Sequence, residues 1–496
     1  MGRIGRQGLS CAVAVGLMAF AVPAAAQEPL TKADMKALTA LSAAAEARDC
    51  DSVTKLTKPL LERRQRALPG DFAVALYQIL IGCLGAQDRG EEAYAAAVKA
   101  TALAESDSML WTFRLDWEVW KKRYAEAATT LEAMTQGHGA ILNDLKLDLA
   151  WDILRLMKEA GATGPRTRVL KLFASDAFAP SDMFGSNDSF RFAYAQDRVS
   201  AGDLAAAEPV VASLEDPHNI AAASLDPRMR NYLKSTDVAA AAAKRLERHR
   251  EWMARQPDRL RPLIAAAENL RQLGRGKEAL DVLKSAEPRL AKLTSAEDKD
   301  YVNWWWNELA ITYETLGRLD ETVEAYRRGS KISEVGGANI SQLINLALAQ
   351  NRFGRPKDAL ATLAVRELSP QTASSYGAML YRQARACALN LDGRSGEAAA
   401  DIAFIKSHEK DAPGAVTDLM LCLGDIEAAA ASVVRRLEDP ELRAAMLLVL
   451  SDFDLALPPL ATDHVAHNRE VLKSRADVKA AIARAGGTRH FNAAEA

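Results

Sequence analysis

Residues 303–334 are the most regular stretch of this chain, and they constrain its fold more than any other feature. Apolar residues recur there at helical spacing in two runs, which Leu316-Gly317-Arg318 separates. A glycine at such a break is typical of a tight turn between helices. The stretch therefore predicts a hairpin of two amphipathic helices.

Small residues recur wherever paired helices of this kind must approach closely. They are Ala267, Ala310, Ala347 and Ala386 on the predicted first helices, Ala279, Ala359, Ala398 and Ala429 on the second helices, and Ala93 and Ala127 nearer the N-terminus. A bulky side chain at such a crossing would hold the helices apart, at a cost of roughly 1–3 kcal/mol. The recurrence predicts a stack of similar hairpins, an α-solenoid.

Glycines mark the predicted turns of the second half of the chain. They are Gly274, Gly317, Gly354, Gly393 and Gly424, at spacings of 43, 37, 39 and 31 residues. The chain is also rich in alanine and has few runs of β-branched residues, which favours helix throughout. The predicted fold class is all-α.

The predicted hairpin of residues 303–334 also carries the sequence pattern of a protein family. Trp306, Leu309, Ala310 and Tyr313 follow the order W-x2-L-G-x2-Y, and Thr322 and Tyr326 keep the spacing A-x3-F. Over residues 190–485 the chain thus resembles tetratricopeptide repeat proteins of the bacterial envelope, an uncharacterised family. The resemblance implies a right-handed superhelix of about 9–11 hairpins with an atypical C-terminal helical cap. It also implies a protein-interaction role, and it brings no catalytic residues.

Residues 1–26 have the pattern of a cleaved secretory signal peptide. Arg3 and Arg6 precede an apolar core over residues 9–22, and Ala24-Ala25-Ala26 forms a small-residue cleavage site. No later run reaches the roughly 18 apolar residues of a membrane span. The sequence predicts export, to the periplasm if the source is a Gram-negative bacterium. The formal charge of −2 would then become −4, because Arg3 and Arg6 are removed with the signal peptide. A chain this close to neutral does not have the net positive charge that is typical of nucleic-acid-binding proteins.

The predicted domain organisation follows from these features. It comprises the signal peptide (1–26), degenerate N-terminal repeats (30–215), an irregular connection with a long helix (216–258), C-terminal repeats (259–439), a helical cap (440–487) and a flexible tail (488–496).

Cleavage would leave four cysteines, Cys50, Cys83, Cys387 and Cys422. An even number in an oxidising compartment indicates disulfides. The pairs 50/83 and 387/422 are each about one repeat apart, which places their members on adjacent hairpins. The alternative is that all four are small buried apolar residues.

A binding surface is predicted on the first helices of the C-terminal repeats. Its candidate residues are Arg271, Gln272, Trp304, Asn307, Glu314, Asn351, Arg352 and Gln383. Arginine can pair with a carboxylate and amides can pair with a peptide backbone, while aromatic residues are typical interface anchors. Of the consecutive tryptophans, Trp306 is predicted to pack in the repeat and Trp304 to face the surface. The alternative is that the extra aromatic residues wedge against the neighbouring hairpin. Each candidate could instead lie on a solvated helix face.

No catalytic residue, metal site or cofactor is predicted. His464 and His467 share one helix face, but a zinc site needs a third fixed ligand. The string from Gly274 to Ala279 matches a dinucleotide fingerprint only in letters, since a helix precedes it where that site requires a strand.

Two functions fit these observations. The first is a non-enzymatic scaffold that binds a protein or peptide segment of the envelope on its concave surface. The second is a periplasmic solute- or glycan-binding helical protein that assists outer-membrane uptake. The oligomeric state is not predicted.

Overall fold

The structure, a computed structural model, describes residues 30–64, 68–180, 187–334, 339–366, 368, 373–456 and 458–495. The predicted signal peptide lies outside these residues. The chain divides into two compact units between Tyr194 and Ala195. The regular secondary structure of the described residues is almost entirely helical, as predicted.

Unit 1 consists of helix hairpins in sequence. Its helices are α1 (Lys32–Glu46), α2 (Cys50–Arg64), α3 (Gly70–Ala86), α4 (Gly90–Ala100), α5 (Ser108–Trp120), α6 (Tyr124–Met134), α7 (Gly139–Asn143), α8 (Leu147–Glu159) and α9 (Thr163–Ala174), and α10 (Asp188–Ser200) contains the division. Helices α1 and α2, α3 and α4, and α5 and α6 pair with each other, and α2 and α4 also contact the hairpin that follows.

Unit 2 begins with shorter helices and continues as regular hairpins. Its helices are α11 (Leu204–Val211), α12 (Pro217–Leu225), α13 (Pro227–Arg230), α14 (Val238–Arg255), α15 (Arg261–Gln272), α16 (Gly276–Lys284), α17 (Ala296–Asp300), α18 (Val302–Thr315), α19 (Leu319–Gly329), α20 (Ile340–Arg352), α21 (Pro356–Ala364), α22 (Ser375–Leu391), α23 (Ala399–Ser407), α24 (Pro413–Leu423), α25 (Ile426–Glu438), α26 (Arg443–Leu450), α27 (His464–Ser474) and α28 (Ala476–Ala485). Short 3-10 segments cover Glu287–Lys292, Ser395–Ala398 and Glu409–Asp411. The pairs α15/α16, α18/α19, α20/α21, α22/α23 and α24/α25 are the hairpins.

The predicted small residues lie at the helix crossings. All ten alanines named above are fully buried, with 0% of their surface exposed. Thr322, which stands where the repeat pattern has alanine, is buried as well, and its hydroxyl donates to the Arg318 carbonyl at 3.0 Å. The buried alanines confirm the α-solenoid.

The hairpin turns share one backbone conformation. The five predicted turn glycines have φ between 67° and 75°, and the unit 1 turns place Arg48, Asp88 and Lys122 at φ 55° to 57°. The amide after the turn residue donates back into the first helix, as Arg318 does to the Tyr313 carbonyl at 2.9 Å. This is a helix C-terminal cap with a left-handed residue, the conformation that glycine adopts without strain.

The two predicted cysteine pairs are disulfide-bonded. Cys50–Cys83 joins α2 to α3, with Cα atoms 4.9 Å apart. Cys387–Cys422 joins α22 to α24, with Cα atoms 5.7 Å apart. Each bridge therefore ties one hairpin to the next.

The two ends of unit 2 contact each other. Helix α12 packs against both α14, at the start of the array, and α26, beyond its last hairpin. Ala221 and Leu225 of α12 belong to the same apolar cluster as Leu447 of α26. Helices α27 and α28 cover α24 and α25, so residues 440–487 lie against the last hairpin.

The structure corrects the prediction of a flexible tail. Residues His490–Phe491 form strand β2, which pairs in parallel with β1 (Asp452–Phe453). Phe491 is 2% exposed and Ala493 is fully buried in the apolar cluster of unit 2. The tail packs because its apolar side chains fill that cluster.

We predict that Gly317→Ala lowers the stability of the fold by about 1–2 kcal/mol, since an added Cβ is strained at positive φ. Among the described residues, no heavy atom beyond Gly317 and its two chain neighbours lies within 4 Å of the position of that Cβ, so the effect isolates the backbone conformation. The matched change Lys122→Gly removes the same strain and should stabilise by about 0.5–1 kcal/mol. Urea unfolding monitored by circular dichroism measures both changes, and equal stability of Gly317→Ala and wild type would refute the argument.

We also predict that the double change Cys387→Ala and Cys422→Ala destabilises unit 2 by about 3–4 kcal/mol. The two cysteines are 35 residues apart in sequence, so the bridge closes a loop of that length in the unfolded chain. Thermal unfolding of wild type with and without a reductant is the second measurement. The argument would be wrong if reductant left the Tm unchanged.

Candidate functional site

The predicted binding residues lie on four successive first helices of unit 2. Arg271 and Gln272 end α15, the residues Trp304, Asn307 and Glu314 lie along α18, Asn351 and Arg352 end α20, and Gln383 lies on α22. We call the surface made by these eight residues the first-helix face.

Several of these side chains bond to a neighbouring hairpin. Arg352 forms a bidentate pair with Glu314, with both N–O distances at 2.9 Å. The amide of Asn345 donates to Asn307 Oδ1 at 3.0 Å, and Asn351 Nδ2 donates to the Ala384 carbonyl at 2.8 Å. These bonds cross-link adjacent first helices. The residues that form the first-helix face therefore also fix the alignment of neighbouring hairpins.

Two buried amide oxygens of the face have no hydrogen-bond donor among the described residues. They are Asn351 Oδ1 and Gln383 Oε1, on the neighbouring helices α20 and α22. Asn351 is 5% exposed and Gln383 is 7% exposed. A buried acceptor without a donor is costly, so each oxygen would gain from an N–H group of a ligand.

The structure corrects the prediction for the tryptophans. Trp305 is the fully buried one, and its indole N–H donates to the Leu283 carbonyl of the preceding hairpin at 3.0 Å. Trp306 is only partly buried, between the Trp305 ring and the Arg328 guanidinium. Trp304 is also partly buried. The repeat pattern describes contacts within one hairpin, whereas the position of Trp305 depends on the hairpin before it.

The C-terminal segment of the chain lies across the carbonyl ends of three first helices. The Ala494 amide donates to the Gln272 carbonyl of α15 at 2.8 Å, and Thr462 Oγ1 donates to the Arg352 carbonyl of α20 at 2.6 Å. Asn468 Nδ2 donates to the Leu421 carbonyl of α24 at 2.7 Å. The last carbonyls of a helix have no partner within it. The segment therefore supplies donors that these helices need.

The last described residues of the tail bend away from β2 and reach α15. The Leu455 amide donates to the Ala493 carbonyl at 3.1 Å, which continues the pairing of β1 and β2. The side chain of Asn492 bonds to α14 and its cap, since it donates to Asp237 and accepts from the Ala239 amide. The Glu495 carboxylate then pairs with Arg271.

Three carboxylates surround the buried guanidinium of Arg271. Arg271 Nε lies 2.6 Å from Glu308 Oε1, and the side chain of Arg271 is only 6% exposed. Burial lowers the pKa of Arg271, but Glu308 and Glu495 outweigh it and hold that pKa above its ordinary value. Burial raises the pKa of Glu495, and it raises the pKa of Glu268 to about 7, to which Glu308 adds. Arg245 and Arg271 lower the pKa of Glu268, but by less than burial and Glu308 raise it.

No group of three or more metal-ligating side chains is arranged to hold an ion among the described residues. His467 bonds through Nδ1 to the Asp463 carbonyl of its own helix end at 2.7 Å. Within the described part of the chain, no helix is both long and apolar enough to span a membrane.

Sequence reasoning identified Arg271 and Gln272 but missed their partners in the tail. Glu308 and Glu268 were also missed, since they lie on faces that the repeat register does not assign to the surface. One signal was present: Phe491 is a lone aromatic residue in an otherwise small and polar C-terminal sequence.

We predict that the free energy of unfolding of wild type falls more than that of Glu268→Gln as the pH rises from about 5 to 8. A carboxyl whose pKa is about 7 in the folded chain and 4.5 unfolded stabilises fully below pH 4.5. That contribution is lost as the pH rises through 7, by on the order of 2 kcal/mol. Urea unfolding at several pH values measures the difference. Glu251→Gln, at an exposed position on α14, is the control, and parallel pH profiles of wild type and Glu268→Gln would contradict the prediction.

Neither a family model nor a curated protein matches the chain. Among solved structures, it is similar to a Rap protein complexed with competence and sporulation factor, at 12% identity and a TM-score of 0.34, over 83% of this chain and 98% of that one. It is also similar to the APC/C hetero-tetramer Cut9–Hcn1, at 10% identity and a TM-score of 0.30, over 92% and 96% of the two chains. A third is the P58(IPK) TPR domain, at 12% identity and a TM-score of 0.18, over 89% and 97%. With helices paired around buried small residues and joined by left-handed turns, the chain is an all-α solenoid that resembles tetratricopeptide repeat proteins.

Proposed function

We propose that this chain is a non-enzymatic protein-interaction scaffold that binds an extended peptide segment of a protein partner on the first-helix face of unit 2. The proposal places it in an exported, oxidising compartment, the periplasm of a Gram-negative cell.

One observation carries the peptide-binding part of the proposal. The tail segment of this same chain already lies at the edge of the first-helix face and bonds to Arg271 and to the Gln272 carbonyl. A carboxylate on arginine and a backbone amide on a carbonyl are general features of a polypeptide ligand. This surface therefore has the chemistry to hold an extended peptide.

The remaining residues of the face offer complementary contacts to a longer ligand. Asn351 Oδ1 and Gln383 Oε1 are buried, so each would accept a backbone N–H from it only after its amide turned toward the ligand. Trp304 provides aromatic surface on the helix between α15 and α20. A peptide that runs from α15 to α22 would meet an arginine, an aromatic ring and two amides in turn.

The compartment is supported by the cysteines. Cys50, Cys83, Cys387 and Cys422 are all disulfide-bonded, and such bonds persist in oxidising compartments. The sequence prediction of a cleaved signal peptide over residues 1–26 agrees with this. Cell fractionation with a reporter fused after residue 26 tests the prediction directly.

Position-specific photo-crosslinking in the native host tests the binding surface. A photoreactive phenylalanine analogue replaces Trp304, and in a matched control it replaces Arg327, an exposed residue of the second helix α19. We expect one defined protein adduct from position 304 and none from position 327, because only the first helix faces the ligand.

Identical adducts from both positions, or none from position 304, would refute the proposed surface. A thermal-shift screen of sugars and peptides separates the alternative function. A rise in Tm with a free sugar, without a position-specific adduct, would favour the solute- or glycan-binding protein.

A further inference from the structure

We propose that the Arg271 end of the first-helix face recognises an acidic segment of the pattern aromatic–x–small–x–acid, and that the chain's own tail occupies this site until a partner segment displaces it. This inference rests on the proposed function and specifies the partner by its chemistry. The tail pattern is Phe491-Asn492-Ala493-Ala494-Glu495.

The pattern is defined by the contacts of three tail residues, because residues 492–494 form bends and only His490–Phe491 belong to a strand. Phe491 and Ala493 are buried at 2% and 0% exposure, and Glu495 pairs with Arg271. Between them, Asn492 is exposed and Ala494 is partly exposed. The segment thus contacts unit 2 through one buried ring, one buried methyl group and one partly exposed carboxylate.

Phe491, Ala493 and Glu495 each make a different kind of contact with the surface. The ring of Phe491 packs against Phe453, with centroids 5.4 Å apart, inside the apolar cluster. Ala493 has no exposed surface, so a larger side chain would not fit without rearrangement. The acid meets a guanidinium in a bonded pair. Together they define which segments can replace the tail.

The acid at position 495 is not explained by folding alone. Arg271 is already paired with Glu308 at 2.6 Å, so a neutral residue at 495 would leave no unpaired cation behind. Glu495 instead adds a second carboxylate to this guanidinium, where Arg271 attracts it and Glu308 repels it. Its side chain is 43% exposed. A recognition site occupied by an internal ligand accounts for this arrangement.

Two glycines connect α28 of the cap to the tail. Gly486 and Gly487 follow α28 with φ of 115° and 85°, two consecutive residues in the region that glycine favours.

The test uses a fluorescently labelled synthetic peptide of residues 488–496 and measures its binding by anisotropy. The proteins are the full chain and a chain that ends at Gly487. If the tail occupies the site, the full chain should bind the peptide at least about 10-fold more weakly, because only its tail-released fraction is competent. A peptide with Glu495→Gln should bind the shortened chain about 10-fold more weakly, since it loses a charged hydrogen bond.

A second variant covers the case in which the shortened chain does not fold by itself. Phe491→Ala in the full chain weakens the anchor of the tail while keeping every residue of the first-helix face, and it should bind the peptide more tightly than wild type. If the shortened chain is unfolded, recovery of its folded circular dichroism signal on adding the peptide supports the proposal equally.

Equal binding by the full and shortened chains, with no gain in Phe491→Ala, would overturn the proposal that the tail occupies the site. Equal binding of the Glu495→Gln peptide would overturn the acidic specificity. If the full chain forms a dimer that the shortened chain cannot form, the tail binds a second copy of the chain. That result would overturn the claim that a separate partner protein binds this site. The cross-link at position 304 is measured independently, so each of these failures is distinct from failure of the proposed function.

Discussion

The close approach of paired helices is the constraint on which the rest of this structure depends. Alanines with no exposed surface occupy the crossings of both units, so neighbouring helices pack with their backbones near each other. Only then can a side chain at the end of one first helix reach the next, as Arg352 reaches Glu314 and Arg271 reaches Glu308. The polar cross-links of the first-helix face are therefore a consequence of the small-residue packing beneath them.

A second consequence concerns the ends of the first helices. Stacked hairpins place the carbonyl ends of α15, α20 and α24 where donors from one crossing segment can reach them, and those carbonyls have no partner within their helices. The C-terminal segment supplies donors from Ala494, Thr462 and Asn468. The need of these helix ends for hydrogen-bond donors therefore helps to hold the C-terminal segment in place.

Much of the fold could be predicted because its determinants are local and repeat. The turn at Gly317, the buried position of Ala310 and the pairing of cysteines one repeat apart all follow from the hairpin and its neighbour. The contacts of the candidate site residues could not be predicted. Arg271, Gln272 and Asn351 were predicted to lie on a binding surface, and all three are buried. The register within one hairpin could not show that Glu308, Ala384 or Glu495 would meet them.

By itself, the sequence determined that this chain is a stack of helix hairpins, since helical periodicity, turn glycines and small crossing residues act within about one repeat. Tertiary structure alone decided which tryptophan is buried and where the tail lies. Trp305 depends on the Leu283 carbonyl of the preceding hairpin, and Glu495 meets Arg271 across 224 residues of sequence. Contacts over such distances leave no periodic trace, because they depend on how the whole array brings its two ends together.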